Sequence, residues 1–268
     1  MLSVLMLFMM MFLPLAAMAE PAPEGCAEHF LGREMPTVVN RVRTNKTRLL
    51  CFSQYALLHS GVAKTAVWSA EHLTSDRIES AGSAGKRPNN FHAEARLPPA
   101  ERAELSDYKT ASDEFDRGHM SPSGDMPDKK SQRESFSLAN MVPQNACNNE
   151  EIWEGIESAV RQLAQEEEEV FVITGPIYPA NIDDARRIGE DDVFVPTELF
   201  KAIYVPTRDQ GAAYVVVNED TKEGRSLTLD GLQQLIGVDV FPNLTKKAKT
   251  TAMMLPPPHP PKFKCRLH

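Results

Sequence analysis

Residues 149–178 read NEEIWEGIESAVRQLAQEEEEVFVITGPIY, and a change of period inside this stretch decides the fold class. Ile152, Ile156, Ala159, Val160 and Leu163 recur at spacings of three and four, which predicts a helix with one buried face. Asn148 or Asn149 is its natural N-cap, and the run Glu166 to Glu169 reads as a solvated helix end. Val170 to Tyr178 follow as a short apolar run closed by Gly175-Pro176, a buried central strand. Working outward, RLLCFSQYALLHS (48–60) and TAVWSAEHL (65–73) mix aromatic and aliphatic residues as strands do. ELFKAIYVP (198–206) and AAYVVVNE (212–219) read as two further strands, and LTLDGLQQLIGVDVFPNL (227–244) as a helix stopped at Gly237. Residues 74–113 are polar, with Gly82, Gly85, Pro88, Pro98 and Pro99, and predict loop and short turns. The tail PPPHPPKFKCRLH (256–268) reads as extended on the surface. Strands on both sides of a helix, in mixed order, point to a single α+β domain over residues 20–268.

The chain has 268 residues, a formal net charge of −8, 42% hydrophobic and 25% charged residues. Nothing in the whole-molecule field attracts a polyanion, so binding of nucleic acid requires a local basic groove and is salt-sensitive. The first nineteen residues, MLSVLMLFMMMFLPLAAMA, are uncharged and apolar, shorter than the roughly 20 residues a comfortable span needs. They end in Ala17-Met18-Ala19, a small-x-small cleavage pattern. The expectation is a cleaved signal peptide over residues 1–19 and a secreted or periplasmic product. The leader contains no Arg, which argues against a mitochondrial address. Cys26, Cys51, Cys147 and Cys265 are widely spaced and contain no C-x-x-C, unlike a zinc ribbon or a redox motif. Four cysteines allow three pairings; the preferred one is Cys26–Cys51 with Cys147–Cys265, the second tying the Pro-rich tail to the middle of the chain.

FDRGHMSPSGDM (115–126) places one histidine beside an arginine-glycine pair and ahead of a run of turn residues. A lone histidine is more often structural than catalytic, but the surroundings of His119 differ. Arg117 lies two residues away, on the same face of a strand. Gly118 leaves room for a substrate to approach the backbone. A neighbouring cation discourages protonation, so the imidazole stays able to accept a proton. Downstream, Asn149, Trp153 and Glu157 are spaced i, i+4, i+8 and form one helical stripe. By periodicity alone Asn149 is equally well a cap, and Glu157 is an ordinary exposed glutamate. An amide oxygen is nevertheless a good hard ligand for Mg²⁺, which keeps several of its waters.

Asp116-Arg117-Gly118-His119 resembles the D-R-G-H motif of the DNA/RNA non-specific endonucleases, the endonuclease G-like group of ββα-metal nucleases. The likeness continues in family order through Asn140, Pro143-Gln144, Asn149, Trp153 and Glu157. Upstream, Arg87 and Phe91 look like the family's R-x-x-x-F segment, with Glu94 where an aspartate is more usual. The resemblance runs from about Tyr55 to Leu244. It implies an α+β fold with a mixed, largely antiparallel sheet, packed helices and a ββα-metal (His-Me) finger. Carried over, His119 is the general base and Asn149 the one direct protein ligand of Mg²⁺, or Mn²⁺ in its place. Glu157 bonds metal-bound water, and Arg87 and Arg117 contact the phosphate. Asn140 and Gln144 orient neighbours or substrate, while Asp116 and Trp153 are supports. The implied partners are DNA and RNA as substrates, and a homodimer is the assembly common in the group. Three other readings are a non-cutting relative that binds nucleic acid or a partner, a phosphodiesterase for small phosphoesters, and a disulfide-stapled structural protein.

Overall fold

The computed structural model describes residues 20–38, 45–85, 87–262 and 264–266. The expected signal peptide, residues 1–19, lies outside the described residues. The strands of the central sheet and of the site hairpin are β1 (Thr47–Cys51), β2 (Ala56–Ser60), β3 (Thr65–Thr74), β4 (Phe115–His119), β5 (Met141–Asn145), β6 (Glu169–Ile177), β7 (Glu198–Val205), β8 (Gln210–Val217) and β9 (Arg225–Leu227). The helices that matter to the site are α1 (Ser75–Ser83), α2 (Lys129–Ser135), α3 (Glu154–Glu166) and α4 (Leu229–Ile236).

Along β6, Val170 and Val172 point to one side while Phe171 and Ile173 point to the other, and all four are buried. A strand apolar on both faces has to lie inside a sheet covered on both faces. β6 accordingly sits at the centre of a seven-stranded sheet ordered β9-β8-β7-β6-β3-β2-β1. Every ladder in this sheet is antiparallel, and parallel pairing is confined to isolated bridges. One face packs against α3 through Ile156, Val160 and Leu163. The other packs against α4 through Leu229, Leu232 and Ile236, and against Phe30 near the N-terminus. β4 and β5 form a separate antiparallel hairpin, with His119 opposite Met141 and Arg117 opposite Pro143. Val142 and Met120 carry this hairpin into the α3-side core.

Several local expectations change in physical detail. Residues 75–83 form a helix where turns were expected: the Thr74 side chain accepts a hydrogen bond from the Arg77 N–H at 3.2 Å and caps it. Buried Arg77 pins it, donating to the carbonyls of Asp125, Gln54 and His72 and to Glu71. Neither Asn148 nor Asn149 caps the long helix. The cap acceptor is Asn145 Oδ1, which takes the N–H groups of Cys147 and Asn148 at 3.0 and 3.1 Å. The first turns, Asn148–Trp153, are π-helical before α3 becomes regular. α4 ends at Gly237 in the left-handed conformation, φ 69°, as expected. Both expected cysteine pairs are bonded, Cys26–Cys51 and Cys147–Cys265. The tail is extended, but it is laid across α3 by a hydrogen bond from His259 N–H to Gly155 O at 3.0 Å.

Ile156 is buried at the seam between α3 and the sheet. Ile156→Ala is expected to lower stability by about 2–5 kcal/mol. A urea midpoint equal to that of the unsubstituted protein would show that α3 is not held through this seam.

Candidate active site

The β4–β5 hairpin holds its side chains by buried hydrogen bonds rather than by loop geometry. Asn140 is wholly buried and its amide is fully engaged. Its Oδ1 accepts from Ser121 N–H at 3.0 Å, and its Nδ2 donates to the carbonyls of Ser121 and Ser135 at 2.8 and 2.9 Å. Met120 N–H donates to the Asn140 carbonyl at 2.9 Å. Asn140 therefore braces the turn after His119; of the two roles expected of it, its side-chain bonds are those of orienting neighbours rather than substrate. Gln144 lies beneath the strand as well, donating to Asn148 Oδ1 at 2.7 Å. A Cβ on Gly118 would fall 2.0 Å from Gln144 Oε1. Gly118 is thus required by the side chain under it, not by a substrate above it.

The ring of His119 is buried between aromatic rings. Phe136 meets it edge-on at 5.1 Å between centroids, and Phe91 lies at 5.9 Å. The same two rings carry the arginines: Arg117 stacks 4.1 Å from the Phe91 centroid and Arg87 4.9 Å from that of Phe136. Phe91 is brought to Phe136 by the bridge between His92 and Ser137. Buried Glu94 supports this bridge, accepting from Ser137 Oγ at 3.0 Å and pairing with Arg96. Burial first, then the charges of Arg87 and Arg117, hold the imidazole well below the ordinary histidine value. The adjacent cation read from the sequence is real, but desolvation outranks it and Arg87 precedes Arg117. Nε2 of His119 is buried without any hydrogen-bond partner. An orphaned buried nitrogen of this kind marks a place where water or substrate belongs. Neither Arg87 nor Arg117 forms an ion pair among the described residues.

Asn149 is half-buried, and its Nδ2 donates to Asp116 Oδ2 at 2.9 Å. With the amide nitrogen engaged, Oδ1 is the atom left for another partner. Asp116 is thereby the support expected of it. Glu157, one turn into α3, has its carboxyl lifted to about 7 by burial, against the pull of Lys201 and Arg161. Burial lowers the Arg87 guanidinium, the charges of Glu157 and Asp116 oppose that shift, and Arg117 adds to it. Trp153 is fully buried and carries Lys201 over its ring at 5.4 Å, a structural role. No group of three or more His, Cys, Asp or Glu side chains able to hold a metal exists among the described residues. One amide oxygen with a carboxylate behind it suits a hard cation that keeps most of its waters, as Mg²⁺ does. It does not suit Zn²⁺, which takes several nitrogen or sulfur ligands.

Two residues of this neighbourhood escaped the sequence. Phe136, which walls the imidazole, belongs to no motif. Arg266 reaches Asp116 Oδ1 at 2.8 Å from the far end of the chain; its only signal was the expected Cys147–Cys265 pair.

A family model described as DNA/RNA non-specific endonuclease matches residues 35–247. The mitochondrial nuclease EXOG of Homo sapiens is 31% identical over 219 residues, covering 75% of this chain and 58% of that protein. The chain therefore spans less than two thirds of that relative's length. The mitochondrial endonuclease G of Caenorhabditis elegans is 29% identical over 221 residues, 75% of this chain and 70% of that protein. A crystal structure of EndoG in complex with EndoGI superposes with a TM-score of 0.68 at 27% identity, over 76% of this chain and 89% of that one. The expectation of a secreted or periplasmic product is overturned by the relatives EXOG and endonuclease G, whose names place them in mitochondria.

Because the folded protein keeps His119 neutral where the unfolded chain takes up a proton, this ring adds stability above about pH 6.5. That contribution is lost as pH falls from 6.5 toward the depressed folded value. In an NMR titration the His119 ring signal is expected to stay at its neutral position through pH 6.5. Phe136→Ala, which readmits water, should raise its midpoint toward that value. A midpoint at 6.5 or higher in the unsubstituted protein would contradict the desolvation account.

Proposed function

This chain belongs to the DNA/RNA non-specific endonuclease family, and from that membership we propose that it hydrolyses phosphodiester bonds of DNA and RNA with one divalent cation, Mg²⁺ or Mn²⁺. The observation that carries the reading is the buried, uncharged and unpartnered Nε2 of His119, beside two arginines that form no ion pair among the described residues. His119 is the general base, and its open nitrogen accepts the proton of the attacking water. Charging the ring in this desolvated place is opposed by burial and by both guanidiniums. The negative phosphodiester supplies the compensation, so proton transfer is favoured only when substrate is present. Arg87 and Arg117 keep their N–H donors free because aromatic faces, not carboxylates, hold them. They bind the non-bridging oxygens and stabilise the extra charge of the transition state. Asn149 Oδ1 would hold the cation and Glu157 its waters; the ion would neutralise the phosphate and ease departure of the leaving oxygen. Phe91 and Phe136 hold the base and both arginines in one geometry and exclude water behind them.

Each of these groups addresses phosphate and none a base edge, which makes cleavage nearly independent of sequence. None of the groups named is assigned to the 2′-hydroxyl, so both sugars are expected as substrates. The net charge of −8 keeps binding dependent on the local cations, and raised salt should weaken it.

The test is nicking of supercoiled plasmid and cleavage of RNA, in Mg²⁺ and in EDTA. His119→Ala is expected to reduce the rate roughly 10²- to 10⁴-fold, and Asn149→Ala to abolish the response to added Mg²⁺. Full activity in EDTA sinks the metal requirement. Unchanged cutting by His119→Ala removes the base assignment. Retention of plasmid in a gel without nicking would favour a binding relative that does not cut.

A further inference from the structure

The C-terminal tail runs as a strap from the sheet to the finger, and its polar contacts converge on one place. Met253 N–H donates to Gly211 O at 3.0 Å, and the Tyr214 hydroxyl donates to Pro256 O. The strap then crosses α3 where His259 meets Gly155. A Cβ at Gly155 would stand 2.3 Å from the His259 carbonyl oxygen, so only glycine admits the crossing. Lys262 Nζ donates to Glu154 Oε1 at 3.0 Å and Cys265 N–H to Glu151 Oε1 at 2.9 Å. The Cys147–Cys265 disulfide follows, bonding the strap two residues before Asn149. Arg266 closes the series. Its N–H donates to Glu150 Oε2 at 2.9 Å, and its guanidinium donates to Ser112 O at 3.0 Å and meets Asp116 Oδ1 at 2.8 Å. The other oxygen of that carboxylate is the acceptor for Asn149 Nδ2.

We infer that Arg266 is a positioning residue for the Asn149 amide, acting through Asp116 and anchored by the Cys147–Cys265 disulfide. This rests on the reading of Asn149 as the cation's ligand. A primary amide can present either its oxygen or its nitrogen, and the partner of the nitrogen decides which. Asp116 is that partner, but a carboxylate with one free oxygen can turn about its bond. Left so, it would itself face the cation. Arg266 occupies the second oxygen and neutralises the charge. The carboxylate is thereby fixed as an acceptor for Asn149, and Asn149 Oδ1 stays directed outward. Partners behind a metal ligand orient it in this way. Because Arg266 follows Cys265 directly, the disulfide sets where its guanidinium can reach. The strap thus adds a residue from outside the ordered motifs to the arrangement they form.

Arg266 is partly exposed and its removal leaves the core intact. Arg266→Ala, Arg266→Lys and Cys265→Ser are compared with the unsubstituted full chain by three measurements. These are the side-chain amide signal of Asn149 by NMR without metal, the split of kcat from KM on plasmid, and the melting midpoint. Arg266→Ala is expected to shift the Asn149 amide signal toward that of a freely rotating side chain. It should lower kcat roughly 10-fold with little change in KM, and Lys should restore part of both. Cys265→Ser keeps the guanidinium but cuts its anchor, and should give the same losses. Unsubstituted values of kcat and of the amide signal in Arg266→Ala overturn the proposal, as does a lowered melting midpoint with both unchanged. Unsubstituted values in Cys265→Ser remove the disulfide from it. Full kcat in Asn149→Ala removes the ligand reading itself, and the proposal with it, whatever Arg266→Ala does.

Discussion

A buried imidazole nitrogen without a partner costs about 1–3 kcal/mol, and the structure around His119 is organised to bear that cost. Edge-on contact with Phe136 and the neighbouring Phe91 ring contribute dispersion and area burial on one side. On the other, Asn140 uses every polar atom of its side chain on the turn that follows the histidine. Ser121 is further tied to the sheet by a 2.5 Å hydroxyl contact with Ser69. The base is therefore pre-oriented before any substrate arrives, and little reorganisation is left for the reaction step.

Ser69 begins a polar row that crosses the sheet beneath the finger. In register, Ser69 pairs with Thr174 and Thr174 with Lys201, and Lys201 Nζ donates to Thr174 Oγ1 at 2.7 Å. Buried Glu71 lies on the same face of β3, paired with Arg77, and desolvation followed by nearby Asp125 pushes its carboxyl upward. Asp125 in turn pairs with Arg161 of α3, which also donates to Ser158. Such groups would be poor choices for a seam whose only task was adhesion, since breaking a buried pair is costlier than an apolar contact is beneficial. Here they set the potential felt by Glu157, whose carboxyl is lifted by burial and lowered by Lys201 and Arg161. The sheet is thus both scaffold and electrostatic backing for the site.

What was legible follows from what periodicity encodes. β6, β7, β8 and α3 show in apolar spacing because each buries a face that must repeat at the element's own period. α1 did not show, because its anchor is a charged residue: Arg77 is buried by hydrogen bonds to three different segments, a reason invisible in its type. The π-helical turn at Asn148–Trp153 escaped for a similar cause. It begins at Asn148, whose side chain is held by Gln144 and by the Val217 carbonyl, contacts that local propensity does not encode. Motif order brought His119, Asn149 and Glu157 forward, but not Phe136 or Arg266, whose contributions depend on contacts closed across long stretches of chain. Gly118 was read as leaving room for a substrate, whereas the side chain of Gln144 lies under it, and a glycine's neighbour cannot be known from its flanks.

The two unpaired arginines bear most directly on how an acidic chain can serve a polyanion. Arg48, Arg77, Arg96, Arg161, Arg186 and Arg225 are each committed to a carboxylate. Arg87 and Arg117 instead rest on phenyl faces, which attract the guanidinium's charge without occupying its N–H donors. A carboxylate in either place would fix the side chain equally well, but it would have to be displaced before a phosphate could bind. Aromatic support gives order without that competition, and the local positive charge survives within a net field of −8. Beyond about 10 Å that local charge is screened, so it acts on the one phosphate that reaches the imidazole and not on the polymer at a distance. The same pair of rings that keeps the histidine dry therefore keeps the arginines available, and the site's neutral base and its cationic lining have one structural cause.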